Sequence, residues 1–322
     1  MKVSSRLLAG ALAIGAAAVP ATAAAHAGHH HDQKVTIRFA AVAGQTPVSC
    51  AAPITGLGTT NATANLQDLR FYISNVRLVT KAGKAVPVAL AKNPFNVTKG
   101  GNRTTLIDLE NGTGSCAAEG DKRTNPVIKG TVPEGDYVGA RMYMGVPFPL
   151  NHTDIVGAPA PLNLAGLSWA WQLGRKFAKI ELADPAGPGG GMMMSAGASQ
   201  SQMAGAWSSP VFFVHIGSVG CIGNPAAGTR PDCTVSNRMA IRFNRFDPAT
   251  QKIAIDLKAL TAGNDITVNR SGAPGCMSEG TDPECDGVMR VAMGLNWRAD
   301  GTGTGQPVNH GAAQTLFRVQ SR

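Results

Sequence analysis

The sequence predicts an all-β protein, a β-sandwich or jelly-roll-like single domain with long decorated loops and disulfides. Its 39 glycines and 20 prolines break the 322 residues into short segments and leave few windows long enough for a helix. Many of these segments alternate apolar and polar residues, which is the pattern of a strand with one buried face. Because no repeat of fixed period and no clean linker divides the sequence, one domain is expected.

The strand candidates are short and regular. Residues 35–41 come first, and residues 211–216 carry His215 on the same face as Phe213. Residues 252–257 are a further strand candidate, within a stretch at 251–260 that is expected to begin as a strand and to end as a helical turn. The further candidates on the same pattern are residues 71–79, 137–146, 176–182, 238–243 and 315–319.

Three long connections are expected between the strands, at residues 93–104, 147–165 and 185–206. The first is polar and contains glycine, and the second is rich in proline and carries His152. The third contains three glycines at 189–191 followed by three methionines at 192–194. Each is predicted to be a loop that decorates the domain.

The N-terminal residues predict export. Lys2 and Arg6 precede an apolar run at residues 7–19, which is shorter than a membrane span and is followed by small residues. We expect a signal peptide at residues 1–25, with cleavage after Ala27 as the alternative. No later run has the length of a transmembrane segment. The mature protein is therefore expected in the periplasm or at the cell surface.

The charge of the protein is positive but scattered. The formal net charge is +9, and removing Lys2 and Arg6 leaves 27 basic residues against 20 acidic ones. No basic block and no interleaving of aromatic and basic residues is present, so nucleic acid is not an expected partner.

Six cysteines in an exported chain predict disulfides, although six cysteines allow fifteen pairings. The spacings from Cys221 to Cys233 and from Cys276 to Cys285 do not resemble a zinc knuckle, and both stretches contain glycine and proline. We predict these two local pairs, which leaves Cys50 with Cys116. Ligation of a metal by the thiolates is the rival interpretation.

Histidine is the most promising functional residue type, because no familiar catalytic motif is present. Residues 26–33 are expected to form a histidine-rich mature N-terminus that holds four of the seven histidines. Imidazole binds copper, nickel and zinc well, but a flexible, solvated tail that scavenges any divalent metal is the more ordinary interpretation of an isolated histidine tract.

Two tryptophans lie between two isolated histidines. Trp169 and Trp171 point to the same side if the backbone is extended, and His152 and His215 flank them in sequence. Taken alone, the tryptophans are more typical of core packing, and a lone buried histidine is more typical of a hydrogen-bonded group than of a ligand.

Several separated motifs nevertheless occur in an order that resembles one known family. They are Phe-Tyr-Ile-Ser-Asn-Val-Arg-Leu at 71–78, Gly-Val-Pro-Phe at 145–148 with Leu-Asn-His at 150–152, Trp-Ala-Trp-Gln-Leu-Gly-Arg-Lys-Phe at 169–177, Val-His-Ile-Gly-Ser at 214–218 with Gly-Cys at 220–221, and Pro-Gly-Cys-Met at 274–277 with Cys285. Residues 34–322 resemble the MbnP family, the four-cysteine proteins of metallo-mystery pairs. Arg175 departs from the family, which more often has an aromatic residue there, and the methionines at 192–194 with Met203 are unusual.

The resemblance implies a periplasmic or surface protein that binds copper and is not itself an enzyme. It implies a di-haem partner of the MauG or MbnH type, which oxidises one tryptophan to kynurenine. It also implies that His152 and His215 are metal ligands and that Trp171, or else Trp169, is the modified residue. His31 is a third ligand candidate, chosen mainly for its position. An opened indole ring offers lone pairs that the intact indole, a hydrogen-bond donor only, does not.

Two other functions remain open from the sequence. One is a copper enzyme with an open coordination position, although no acid–base pair accompanies the histidines. The other is an envelope protein without a metal, which presents disulfide-stapled loops to a partner.

Overall fold

The computed structural model describes Met1 and residues 31–169, 174–187, 207–223, 229 and 232–322. Asp32–Arg322 forms one compact unit, and Met1–His31 is assigned to a separate one. The predicted signal peptide, the histidines at 26–30, Trp171 and the methionines at 192–194 and 203 lie outside the described residues. Among the residues that the structure does describe, no helix combines the length and the apolar character needed to span a bilayer.

Strands dominate the described residues, and the all-β prediction is confirmed. The helices in the described ranges are short: α1 (Phe148–Asn151), α2 (Leu257–Thr261), three single 3₁₀ turns and a π-helical segment at Asp286–Ala292. The strands are β1 (Asp32–Ala43), β2 (Thr46–Pro47), β3 (Ile54–Leu57), β4 (Ala62–Thr80), β5 (Ala85–Pro87), β6 (Ala89–Leu90), β7 (Asn96–Lys99), β8 (Asn102–Asp108), β9 (Val127–Pro133), β10 (Tyr137–Met144), β11 (Ala178–Ala183), β12 (Val211–Ile216), β13 (Val219–Ile222), β14 (Asp232–Val235), β15 (Met239–Phe243), β16 (Gln251–Asp256), β17 (Gly275–Cys276) and β18 (Phe317–Ser321).

Two sheets form the body of the domain. The smaller has the strand order β18-β16-β1-β9-β6, and the larger has the order β15-β10-β4-β11-β12-β17. Aromatic rings from both sheets meet in the core: Phe71 of β4 lies 5.9 Å from Phe39 of β1 and 5.5 Å from Phe317 of β18, measured between ring centroids. The inner faces of the two sheets therefore pack as in a sandwich.

The predicted change from strand to helix near residue 257 is present. Strand β16 ends at Asp256, whose side chain accepts a hydrogen bond from the backbone N–H of Lys258 at 3.0 Å. A carboxylate at this position satisfies a free donor of the first helical turn, so α2 begins directly after the strand.

The prediction of a loop at residues 93–104 is wrong, because this segment contains β7 and the start of β8. Lys99 pairs with Asn102, so only Gly100 and Gly101 connect the two strands. Both glycines have positive φ, 57° and 77°, which is what a tight hairpin turn demands. The Gly-Gly pair indicates a hairpin turn, but the polar residues around it favoured the prediction of a loop.

Three disulfides form among the described residues, Cys50–Cys116, Cys221–Cys233 and Cys276–Cys285, and these are the pairs expected from the sequence. Cys221 and Cys233 face each other in the two-stranded sheet β13–β14, which is separate from the two larger sheets. Cys276 lies on β17, which pairs in parallel with β12. The last disulfide therefore fixes the strand that neighbours His215.

Candidate metal centre

A charged layer covers one face of the larger sheet. Lys179 on β11 is the cross-strand neighbour of Arg70 on β4 and of His215 on β12, and Glu181 is the neighbour of Asp68. All five side chains are buried. The opposite face of the same strands carries the apolar residues of the core, so side-chain alternation alone separates the ionic layer from the hydrophobic one.

The charges in this layer are paired. Lys179 Nζ lies 2.8 Å from Asp68 Oδ2 and 3.2 Å from Glu181 Oε1. Arg70 also pairs with Asp68 through its guanidinium group. Burial pushes the pKa of Glu181 upward, but the hydrogen bond with His215 and the charge of Lys179 outweigh it, so this pKa lies below its usual value. Glu181 is therefore ionised at neutral pH.

His215 is held by Glu181. Its Nε2 lies 2.8 Å from Glu181 Oε1, and the residue is only 4% exposed. Burial lowers the pKa of His215, with a further contribution from Lys176 and Lys179, although the hydrogen bond to Glu181 opposes this shift. A neutral imidazole that faces an ionised carboxylate donates its N–H to that carboxylate. The proton of His215 is therefore on Nε2.

The other ring nitrogen of His215 is an acceptor without a donor. Nδ1 is buried and has no hydrogen-bond partner among the described residues. A buried lone pair left unsatisfied costs about 1–3 kcal/mol, so such an atom requires an explanation. A metal ion is one explanation, because ligating histidines commonly donate their second N–H to a carboxylate, as His215 does.

His152 follows directly after α1 and is also buried, with 6% exposure. Its Nε2 lies 3.0 Å from Asn151 Nδ2 and 3.2 Å from Cys233 Sγ. The amide of Asn151 is oriented by its other end, since Oδ1 accepts the backbone N–H of Arg175 at 2.9 Å. Asn151 Nδ2 is thus the atom that donates to His152.

Arg175 anchors the segment that carries His152. Its side chain donates to the carbonyl oxygens of Leu162, at 2.9 and 3.1 Å, of Asn151, at 2.7 Å, and of Thr153. Arg175 is 2% exposed, and burial lowers the pKa of its guanidinium group. Arg175 therefore holds the predicted loop at 147–165 against the body of the domain.

Trp169 packs next to the His215 segment. The residue is half-buried, and its backbone N–H donates to the carbonyl oxygen of Gly174 at 3.0 Å. A Cβ atom placed on Gly217 would lie 2.9 Å from Trp169 Cη2 and 3.0 Å from the carbonyl oxygen of Arg175. The indole therefore occupies space that is free only because residue 217, two positions after His215, is glycine.

The structure brings some of the predicted residues together and leaves others apart. Arg175 contacts the His152 segment, and Trp169 contacts the His215 segment. Within the described ranges, however, His152 and His215 do not share any group of three potential ligands; His152 clusters instead with Cys221 and Cys233. His31 is exposed and belongs to the separate Met1–His31 unit, so its role as a ligand stays a prediction.

Three residues that support the histidines were not singled out from the sequence. Glu181 and Asn151 contact the two imidazole rings, and the Ser278 hydroxyl donates to the carbonyl oxygen of His215 at 2.9 Å. Alternation along residues 176–182 places Lys179 and Glu181 on one face, which is a detectable signal for a buried ionic layer. No local sequence pattern predicts that Ser278 contacts the His215 backbone.

The fold and the site define a disulfide-stapled all-β protein with two buried histidines, each hydrogen-bonded through one ring nitrogen to a neighbouring side chain. The MbnP family model matches residues 32–278, and the chain belongs to this family. Among solved structures, MbnP from Methylosinus trichosporium is similar with a TM-score of 0.75 and 33% sequence identity, covering 90% of this chain and 99% of that one. No curated protein gives a match.

Proposed function

We propose that this protein is an exported copper-binding protein in which His215 is the central ligand. The observation that carries the proposal is the buried Nδ1 atom of His215, which has no hydrogen-bond partner among the described residues. The atom fits a metal, because Glu181 orients the ring and keeps the proton on the opposite nitrogen. Copper, when bound, would accept this lone pair and remove the cost of leaving it unsatisfied.

We place His152 and one oxidised tryptophan beside His215 in the proposed site. The support is a pair of contacts on the two sides of this tryptophan motif, Trp169 against Gly217 and Arg175 against Asn151. Trp171 remains the favoured residue for oxidation to kynurenine and Trp169 the alternative, with His31 as a further ligand candidate. Oxidation by a di-haem enzyme of the MauG or MbnH type opens the indole ring and exposes nitrogen and oxygen lone pairs.

The proposed compartment is the periplasm or the cell surface, with a role in copper acquisition or homeostasis. Three disulfides among the described residues support an oxidising compartment, because cytosolic proteins rarely keep such bonds. The basic and apolar N-terminal residues 2–19 support a signal peptide. The protein itself is proposed to bind copper and to serve as the substrate of its partner, not to catalyse a reaction.

The test is expression of the protein with and without its di-haem partner. Peptide mapping should place a net loss of one carbon and gain of one oxygen on Trp171 or Trp169 only when the partner is present. The modified protein should then hold copper at a fixed stoichiometry, measured by elemental mass spectrometry. Unaltered tryptophans together with the absence of stoichiometric copper would refute the proposal.

Matched variants assign the ligands. Asparagine keeps a planar polar side chain but lacks the imidazole lone pair, so His215→Asn and His152→Asn should each reduce the copper content of the modified protein. His310→Asn is the control, because His310 is exposed and has a positive φ of 56°, which asparagine tolerates. Equal copper content in all three variants would favour the envelope protein without a metal.

A further inference from the structure

A second set of potential ligands surrounds His152. Its Nε2 atom lies 3.2 Å from Cys233 Sγ, and Cys233 is bonded to Cys221 across the β13–β14 hairpin. The imidazole nitrogen and the two sulfurs all lie within 4.8 Å of one another. In the oxidised protein both sulfurs are committed to the disulfide, so only the imidazole is a ligand.

This disulfide is the most accessible of the three among the described residues. Cys221 and Cys233 are half-exposed, whereas the four other cysteines are 5% exposed or less. A thiolate that attacks a disulfide must reach one of its sulfurs, so a reductant should cleave Cys221–Cys233 before the two buried disulfides. The bond also links two strands that belong to neither of the larger sheets, so its cleavage leaves the core intact.

We propose that reduction of Cys221–Cys233 creates a site for Cu(I), formed by two thiolates and the imidazole of His152. A dithiol reductant, either a small molecule or a protein, transfers two electrons and two protons to the bond. The Sγ–Sγ bond breaks, two thiols form, and the reductant closes its own disulfide. Each thiol then releases its proton to solvent as its sulfur binds the cation.

The ligand chemistry selects the metal. Thiolates are soft ligands that favour Cu(I), and two of them with one imidazole supply a compact three-ligand set. Metal–sulfur and metal–nitrogen bonds of about 2.3 and 2.0 Å place such donors about 3.5–4 Å apart, a separation close to that of His152 and Cys233. The two sulfurs must move apart, which the loss of the bond between them permits, and the amide of Asn151 must give up its hydrogen bond to Nε2.

The inference stands without the proposed copper centre, although both use His152. It requires neither the oxidation of a tryptophan nor a contribution from His215. If both sites exist, one imidazole cannot serve both ions, and the redox state of the hairpin then directs copper to one site or the other.

The experiment uses the full mature protein expressed without the di-haem partner, so that its tryptophans are intact. The protein is treated with a limited amount of a phosphine reductant, desalted under argon, and alkylated in part to map the free thiols. We expect thiols at Cys221 and Cys233 before any other cysteine. The remainder is titrated with Cu(I) against a chromophoric chelator, and one ion should bind with an affinity about tenfold or more above that of the oxidised protein.

Two variants and one spectrum complete the test. Cys221→Ser with Cys233→Ser should abolish the reduction-dependent binding, and His152→Asn should weaken it while the number of free thiols stays unchanged. X-ray absorption should report two sulfur ligands at about 2.3 Å. If thiols are mapped at both positions and Cu(I) affinity does not rise, or if the reduced site prefers Zn(II), the inference is overturned. The mapping on the wild-type protein keeps this test valid even if the double variant fails to fold.

Discussion

Arg175→Met tests whether one buried cation holds the segment that carries His152. Methionine keeps a long unbranched side chain but removes every donor. The carbonyl oxygens of Leu162 and Asn151, both buried residues, and that of half-buried Thr153 then lose the guanidinium group. The loss of a partner costs a buried acceptor about 1–3 kcal/mol.

The expected magnitude lies at the low end of this range. Burial removes hydration from the charged guanidinium group of Arg175, and this desolvation lowers its pKa. Methionine avoids the cost of that desolvation. With about 1 kcal/mol for each of the three oxygens, the free energy of unfolding should fall by about 3 kcal/mol. Urea unfolding with intact disulfides, followed by tryptophan fluorescence, measures the difference.

Lys176→Met is the matched control, because Lys176 is the next residue in the chain, is half-buried and carries the same charge. Among the described residues, no hydrogen bond joins its side chain to the His152 segment, so its effect should stay below about 1 kcal/mol. If Arg175→Met changes stability no more than the control does, the guanidinium group is not what holds this segment.

Three further outcomes follow from the site. Glu181→Gln should weaken copper binding by the modified protein about 10–100-fold, because the carboxylate that orients His215 is lost. Asp108 on β8 is the cross-strand neighbour of Arg70. Burial raises the pKa of Asp108 to about 8, so the stability that its protonated form contributes is fully present below about pH 4 and is lost as the pH rises through about 8. Asp108→Asn should therefore gain stability relative to wild type between pH 5 and pH 9 in urea unfolding. Gly217→Ala should displace the Trp169 indole and change its fluorescence, because the added Cβ would lie 2.9 Å from Cη2.

Two of these outcomes have a control variant, and the pH dependence tests the third. Glu119→Gln changes a carboxylate that also contacts Lys179 but is 49% exposed, so copper affinity should stay close to that of wild type. Gly166→Ala adds a Cβ whose nearest neighbour is 4.0 Å away, so the fluorescence should not change. For Asp108, a difference from wild type that does not depend on pH would refute the raised pKa.

Local patterns were enough for the fold class and for most of the strands. Alternation of apolar and polar residues is a property of neighbouring positions, and it predicts strands at 35–41, 211–216 and 252–257, where the structure has β1, β12 and β16. The disulfides Cys221–Cys233 and Cys276–Cys285 could also be predicted from the sequence, because short loops close easily. The segment at 93–104 was missed because its turn glycines are surrounded by polar residues.

The sequence by itself determined an all-β, disulfide-bonded chain of the MbnP family, with two histidines and a pair of tryptophans as candidates for a site. Only the tertiary structure decided which groups those histidines meet. His215 meets Glu181, which lies 34 residues earlier, and His152 meets Cys233, which lies 81 residues later. These contacts depend on the order in which strands pair, and that order follows from the packing of the whole domain, not from any local pattern.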